Sequence, residues 1–386
     1  MSINFDEIIP RIGTNCTKFD KRLAVFGNSH VIPLWVADMD FAVPCEVTEA
    51  LISRATHPIY GYTFAPDSLY EALINWVKQR YDWSIKQEWI ILCPGVVPSL
   101  TAAILALSQT HESTIILPPV YFPFFSAVTK SNRPLSLCPL HYRNHRYEID
   151  FDRLEALENN SRILLFCSPH NPVGRVWSRF DLEQLIKIAQ KKNWIIISDE
   201  IHADLTYPDY QHIPLAHLTD ETANIITAIA PSKTFNIPGL NLSALIVSDV
   251  KFREAILNFF DQLHINPVNP FNIVAFETAY QKGAGWLDEL TSYLSCTRDQ
   301  VDDYLTKYLP DIQLVKPEGT YLLWLDCRRM SMTDSELKRF FVHQAGVGLS
   351  PGILFGDEGS GFMRMNIGTP RSNILAALEK IKKAYV

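Results

Sequence analysis

The sequence predicts an α/β protein: a mainly parallel central sheet with helices on both faces, plus a smaller α+β domain. Three observations predict it. Short apolar runs of strand length recur through the middle of the chain, helix-like stretches separate them, and the rhythm changes after about Gly285. The runs are 89–92, 114–117, 162–167, 194–198, 224–230 and 244–248. Several are rich in Ile and Val and apolar throughout rather than alternating, as strands buried on both faces are. Among the helices, 178–190 sets Leu182, Leu185, Ile186 and Ala189 on one face, with Ser178 and Asp181 forming a capping box. Residues 99–107 make a second, after a Pro-Gly turn. Strands alternating with helices are the signature of a parallel sheet covered on two sides.

Beyond Gly285 the pattern predicts a helix over 286–305, then a hairpin of 313–315 and 321–325 around a Pro-Glu-Gly turn. Thr333 and Glu336 cap the next helix, Gly346 stops it, and a last helix lies near 373–383. The expected division is a large domain over 46–285 and a small domain made of 1–45 and 286–386.

Composition narrows the function. At 386 residues the chain can bury a sizeable core, and 47% hydrophobic with 20% charged residues is globular usage. A net charge of −7 offers no basic field for nucleic acid or an anionic membrane. No apolar run approaches the roughly 20 residues that span a bilayer. The opening MSINFDEIIPR has acids where a secretory leader has a basic and then an apolar segment. Seven scattered cysteines without a CxxC pair suit reduced thiols, not a disulfide framework or a zinc site. His141 and His145 lack a third ligand nearby and read as a polar loop feature; no metal is expected. The expectation is a cytoplasmic enzyme or binding protein.

The chemistry lies in the punctuation after the strands. Gly95 follows 89–92, Asn171 follows 162–167, Asp199 follows 194–198, and Ser232 and Lys233 follow 224–230. All fall at carboxyl ends of predicted parallel strands, where open α/β sheets bind ligands. Taken singly, each has an ordinary reading as a solvated lysine, a helix cap or a turn; their shared end of the sheet is the signal. A lysine there can form an imine with an aldehyde cofactor and later serve as a base. A carboxylate such as Asp199 keeps a pyridine nitrogen protonated, and Asn171 can hydrogen-bond a phenolic oxygen. The turn Gly95, Val96, Val97, opening a helix, offers N–H groups to a phosphate.

The segments SPHNPVGRVW, SDEIHADL and APSKTFNIPGLNLS resemble the signatures of fold-type I pyridoxal-phosphate enzymes, the aspartate aminotransferase superfamily, and the similarity runs over nearly the whole chain. The resemblance implies the pyridoxal-phosphate-dependent transferase fold, with a seven-stranded type of central sheet. It implies Lys233 as the Schiff-base lysine, Asp199 as the pyridinium partner, Asn171 on the ring O3′ and Tyr121 stacked on the ring. NFDEIIPRIGTN, LWVADMDF over 34–41 and IYGYT narrow it: they look like the MalY/PatB-type cystathionine β-lyases, or C–S lyases. His202 stands where many aminotransferases place a tyrosine that supports O3′. Asn241, eight positions after Lys233, stands where many carry a phosphate-binding arginine, and Ala230 where many carry a Ser or Thr ligand. Ser232, the Gly95 turn and Tyr60 or Tyr62 must then hold the phosphate. The resemblance implies that such a tyrosine reaches over from a second subunit of a homodimer with shared active sites. Arg364, in GFMRMNIGTPR, stands where the superfamily binds the substrate α-carboxylate, which a guanidinium fork matches bidentately. Ala37 and Asp38 line the substrate mouth.

The implied reaction is α,β-elimination: Lys233 removes the α proton, a thiolate leaves the β carbon, and the remaining aminoacrylate hydrolyses to pyruvate and ammonia. Two alternatives stand beside this reading. One is an aminotransferase using the same residues; the other keeps the pocket but serves as a regulatory binding partner.

Overall fold

The computed structural model describes residues 3–158, 160–219 and 224–385. Its centre is a seven-stranded sheet formed by β1 (Ile90–Cys93), β2 (Ser113–Ile116), β3 (Leu135–Leu137), β4 (Ser161–Cys167), β5 (Ile195–Asp199), β6 (Ile225–Ile229) and β7 (Ser243–Val247), in the order β1-β7-β6-β5-β4-β2-β3. The pairs β6–β5, β5–β4, β4–β2 and β2–β3 are parallel, whereas β7 runs antiparallel to both neighbours. The run 244–248 is therefore a reversed strand within a mainly parallel sheet. Because two reversals cancel, β1 still points the same way as β4, β5 and β6.

The sheet is buried on both sides, which is why its strands read as unbroken apolar runs. In β4, Ile163 and Leu165 join one core with Leu100 and Ile104 of helix α1 (Val96–Leu107). Leu164 and Phe166 face another core, shared with Leu182 and Leu185 of helix α2 (Arg179–Lys192). Both halves of the Ser178–Asp181 capping box form at the start of α2.

The C-terminal part forms a four-stranded antiparallel sheet of β8 (Gln313–Val315), β9 (Leu322–Asp326), β10 (Ser350–Pro351) and β11 (Phe362–Asn366), ordered β8-β9-β11-β10. It packs with two long helices, Ala284–Tyr308 and Arg371–Tyr385. Thr333 and Glu336 complete their capping box ahead of Asp334–Arg339, the chain continues as a wider π turn over Phe340–Gln344, and Gly346 takes φ +67°. N-terminal residues join this sheet's neighbourhood, Ile32–Pro33 pairing in parallel with Val347–Gly348.

Two elements escaped the sequence pattern. Edge strand β3 has three residues, too few for any periodicity. His141 lies in the short hairpin His141–Arg143 and Arg146–Glu148 rather than a loop, with its Nε2 2.8 Å from Asp150. Among the described residues no cluster of three potential metal ligands occurs, all seven cysteines are free, and no helix is long and apolar enough to cross a membrane.

Candidate active site

The carboxyl ends of β1, β4, β5 and β6 converge on a cavity of about 410 Å³, lined by residues including Gly95, Val96, Val97, Tyr121, Asn171, Asp199, His202, Ser232 and Lys233. Ala37, Tyr121 and Lys233 also line an outer, more apolar chamber of about 930 Å³, which Asp38 and Arg364 border. Ten of the predicted site residues, Ala37 among them, thus gather at one place, and Asp38 and Arg364 at its mouth. Tyr60 and Tyr62 do not: they are 55% and 108% exposed and line neither chamber, and the Tyr60 hydroxyl donates to Ala55 O at 3.0 Å.

Strand chemistry places each group. Gly95 caps α1 with φ +120°, a conformation that side-chain-bearing residues rarely adopt, and no side chain caps the helix. The first N–H groups of α1, including those of Val96 and Val97, lack intrahelical partners and carry the positive end of the helix dipole. Lys233 is the only cation among the described residues lining the inner cavity. An anionic ligand there must rely on that helix end and on the Ser232 hydroxyl.

Asp199 ends β5 and is buried. Burial pushes its carboxyl up to about 7, against the opposing pull of the Ile201 N–H and of Lys233. Lys233 sits in the short turn Pro231–Thr234, and its Nζ donates to Ala37 O at 2.6 Å. Burial lowers its amine to about 8, Asp38 pulls it upward and Arg364 presses it further down. His202 is buried, its Nδ1 has no partner among the described residues, and burial with the nearby cations holds its imidazole at about 3, so it is neutral. Tyr121 has its hydroxyl pKa raised, by burial foremost.

Arg364, on β11, is 3% exposed. Its Nη1 donates to Asn171 Oδ1 at 3.0 Å and its Nη2 to Trp35 O at 2.9 Å, while Nε has no partner among the described residues. Among the described residues no carboxylate pairs with it, and burial lowers its guanidinium to about 10. A buried, unpaired cation is costly unless a ligand supplies the anion. By taking Asn171 Oδ1, Arg364 also leaves the Asn171 amide N–H₂ to donate elsewhere. Asp38, in contrast, pairs its carboxylate with Arg11 at 2.6 Å and acts on Lys233 through its charge.

Sequence reasoning missed Tyr321 and Trp35. The Tyr321 hydroxyl donates to Ala37 O at 3.0 Å, and its ring meets His202 edge-on with centroids 5.9 Å apart. It follows a turn with no motif to mark it. Trp35 acts through its carbonyl, which side-chain chemistry cannot announce.

The donor set fits a planar, phosphorylated pyridine aldehyde. A buried carboxylate, an amide N–H₂, an amine of lowered basicity, an aromatic ring and an uncapped helix end line one cavity, matching a ring nitrogen, a phenolic oxygen, an aldehyde, a π face and a phosphate.

The model of the family described as aminotransferase class I and II matches residues 29–381. The chain is 38% identical to cystathionine beta-lyase PatB of Bacillus subtilis (strain 168), covering 99% of this chain and 100% of that one. It is 31% identical to protein MalY of Escherichia coli (strain K12), over 96% of each. The crystal structure of cystalysin from Treponema denticola, which contains a pyridoxal 5′-phosphate cofactor, superposes with a TM-score of 0.96 at 35% identity, covering 100% of this chain and 99% of that one. Fold, strand-end site and full-length similarity agree: the chain belongs to the aminotransferase class I and II family, in the branch that holds PatB and MalY.

Proposed function

We propose that this protein is a pyridoxal-phosphate-dependent carbon–sulfur β-lyase, converting cystathionine or related cysteine S-conjugates to a thiol, pyruvate and ammonia. The observation that carries the reading is the buried Arg364, without a carboxylate partner among the described residues, beside the Lys233 amine of lowered basicity. One cation waits for an α-carboxylate and one base for an α proton. Full-length likeness to the cystathionine beta-lyase PatB supports elimination as the outcome, as do His202 and Asn241 at positions where many aminotransferases carry Tyr and Arg.

When bound, pyridoxal phosphate supplies an aldehyde and a conjugated ring that accepts the electron pair left by α-deprotonation. The remaining work belongs to the chain. Asp199 holds the ring nitrogen protonated, a cation opposite favouring its ionised form despite burial. The Asn171 N–H₂ and His202 would hold the phenolic oxygen, and Tyr121 would pack on the ring. Val96 and Val97 N–H and the Ser232 hydroxyl would hold the phosphate. Arg364 takes the substrate carboxylate in a two-pronged grip, fixing which bond at the α carbon faces Lys233. Lys233, neutral in useful amount near neutral pH because burial lowers it to about 8, removes the α proton. The sulfur substituent extends into the outer chamber, and the C–S electrons depart with the thiolate.

The working unit in this reading is a cytoplasmic homodimer with shared sites. Exposed apolar groups at Ile52, Ile59 and Phe64 flank Tyr60 and Tyr62, a surface suited to a second copy. Free thiols in a reducing compartment agree with the same reading. The deciding experiment incubates the holoenzyme with cystathionine or cystine and no 2-oxo acid. Stoichiometric pyruvate, ammonia and thiol are expected. Transfer of the amino group to an added 2-oxo acid as the main activity would make the protein an aminotransferase instead.

A further inference from the structure

Residues 35–40 form a strap that touches both cations of the site through its backbone. Trp35 O accepts from Arg364 Nη2 at 2.9 Å, and Ala37 O accepts from Lys233 Nζ at 2.6 Å. Beyond those contacts the strap carries two carboxylates, Asp38 and Asp40, on the wall of the outer chamber, and both pair with an N-terminal pair of cations. Arg11 reaches Asp38 and Asp40, each at 2.6 Å. Lys18 is completely buried, with Nζ 3.0 Å from Asp40, 3.8 Å from the Asp38 carboxylate and 3.4 Å from Asp38 O. The Lys18 carbonyl in turn accepts from Trp35 Nε1 at 3.1 Å.

A fully buried lysine is rare, and removing water from four charges is expensive. The same core could be closed with apolar side chains. What the quartet provides that a greasy contact does not is directional hold: each partner has one place to sit. It has two cations and two carboxylates, so it is neutral as a set. The reaction does not use it, and its members come from separate stretches of chain.

We infer that Lys18, with Arg11, is a positioning residue, anchoring Asp38 and Asp40 so that the carbonyls of Trp35 and Ala37 hold Arg364 and Lys233 in register. This rests on the roles assigned to those two cations in the lyase reading. Loss of the anchor disturbs two steps at once: carboxylate capture through Trp35 and Arg364, and proton removal through Ala37 and Lys233. Displacements of about an ångström at reacting groups cost on the order of a hundredfold in rate.

The test uses the holoenzyme with Lys18→Met, and with the charge-matched double variant Lys18→Met/Asp40→Asn in case the single change does not fold. Amide hydrogen exchange is followed by mass spectrometry, and kcat and KM are measured for β-elimination. The expected result is faster exchange over 34–41, with KM raised and kcat lowered, for a loss of about tenfold or more in kcat/KM. The double variant, in which the loss of the Lys18 cation is matched by the loss of the Asp40 charge, regains thermal stability without regaining kcat/KM. Two results overturn the inference: unchanged exchange over 34–41, or accelerated exchange with kcat and KM within about twofold of the parent enzyme. A parent protein that takes up pyridoxal phosphate but eliminates nothing refutes the lyase reading instead, and the exchange measurement then decides on its own whether Lys18 holds the strap.

Discussion

Replacing Arg364 by lysine keeps the charge and removes the fork. The native guanidinium is 3% exposed, spends one nitrogen on Asn171 and another on Trp35 O, and has a free Nε. A substrate carboxylate would meet it through two parallel charge-assisted hydrogen bonds. Lysine offers a point charge and can satisfy one of them, and its shorter reach leaves Asn171 Oδ1 without its donor. One hydrogen bond to a charged group is worth about 1.5–3 kcal/mol, and each 1.36 kcal/mol is a factor of ten, so Arg364→Lys should lower kcat/KM by about 10- to 150-fold. Arg364→Met forfeits both bonds and should lose roughly 10²- to 10⁴-fold. The loss should fall mainly on KM, since the carboxylate is gripped in the ground state as well as in the transition state. Steady-state pyruvate formation measures it. The control is a decarboxylated conjugate, an S-substituted cysteamine: with no carboxylate to grip, its binding should change little. Arg364→Lys within about threefold of the parent in kcat/KM, or an equal loss of affinity for acid and decarboxylated ligands, would refute the assignment.

Three further outcomes follow from the same geometry. Lys233→Ala should lower kcat by at least about 10²- to 10⁴-fold, the usual worth of a positioned base, and borohydride reduction of the parent holoenzyme followed by peptide mapping should label position 233 and no other. Asp199→Asn should weaken cofactor retention yet stabilise the cofactor-free chain above pH 7. Burial raises the folded-state pKa of Asp199 to about 7, above its unfolded value, so its contribution is complete at low pH and is lost as pH rises through 7. Thermal melts of cofactor-free parent and variant should therefore diverge as pH goes from 5 to 8; a constant gap contradicts the burial argument. Finally, if Tyr60 or Tyr62 binds phosphate across a dimer, its change to Phe should weaken pyridoxal-phosphate binding by about 10- to 150-fold. Mixed dimers of that variant with Lys233→Ala should then recover one parental site; purely additive behaviour excludes a shared site.

The sequence by itself determined the strands and the end of the sheet that matters. Buried strands write themselves as apolar runs because both faces are covered, and the residue after each run must leave the sheet at its carboxyl end. Hence Gly95, Asn171, Asp199 and Lys233 could be assigned to one rim without coordinates. Capping boxes at Ser178 and Thr333 were equally legible, because a cap is a local hydrogen bond between residues three apart. Only the tertiary structure decided what depends on distant segments meeting. The antiparallel run of β7 is invisible in its composition, since an apolar strand looks the same in either direction. Trp35 and Ala37 act through carbonyls, which every residue possesses, and Tyr321 enters the site from the far side of a hairpin. Local pattern records what a residue does to its neighbours in sequence; which charges share a dry cavity is settled by packing alone, and there burial turned Asp199, Lys233, His202 and Arg364 from ordinary ionisable side chains into groups poised for chemistry.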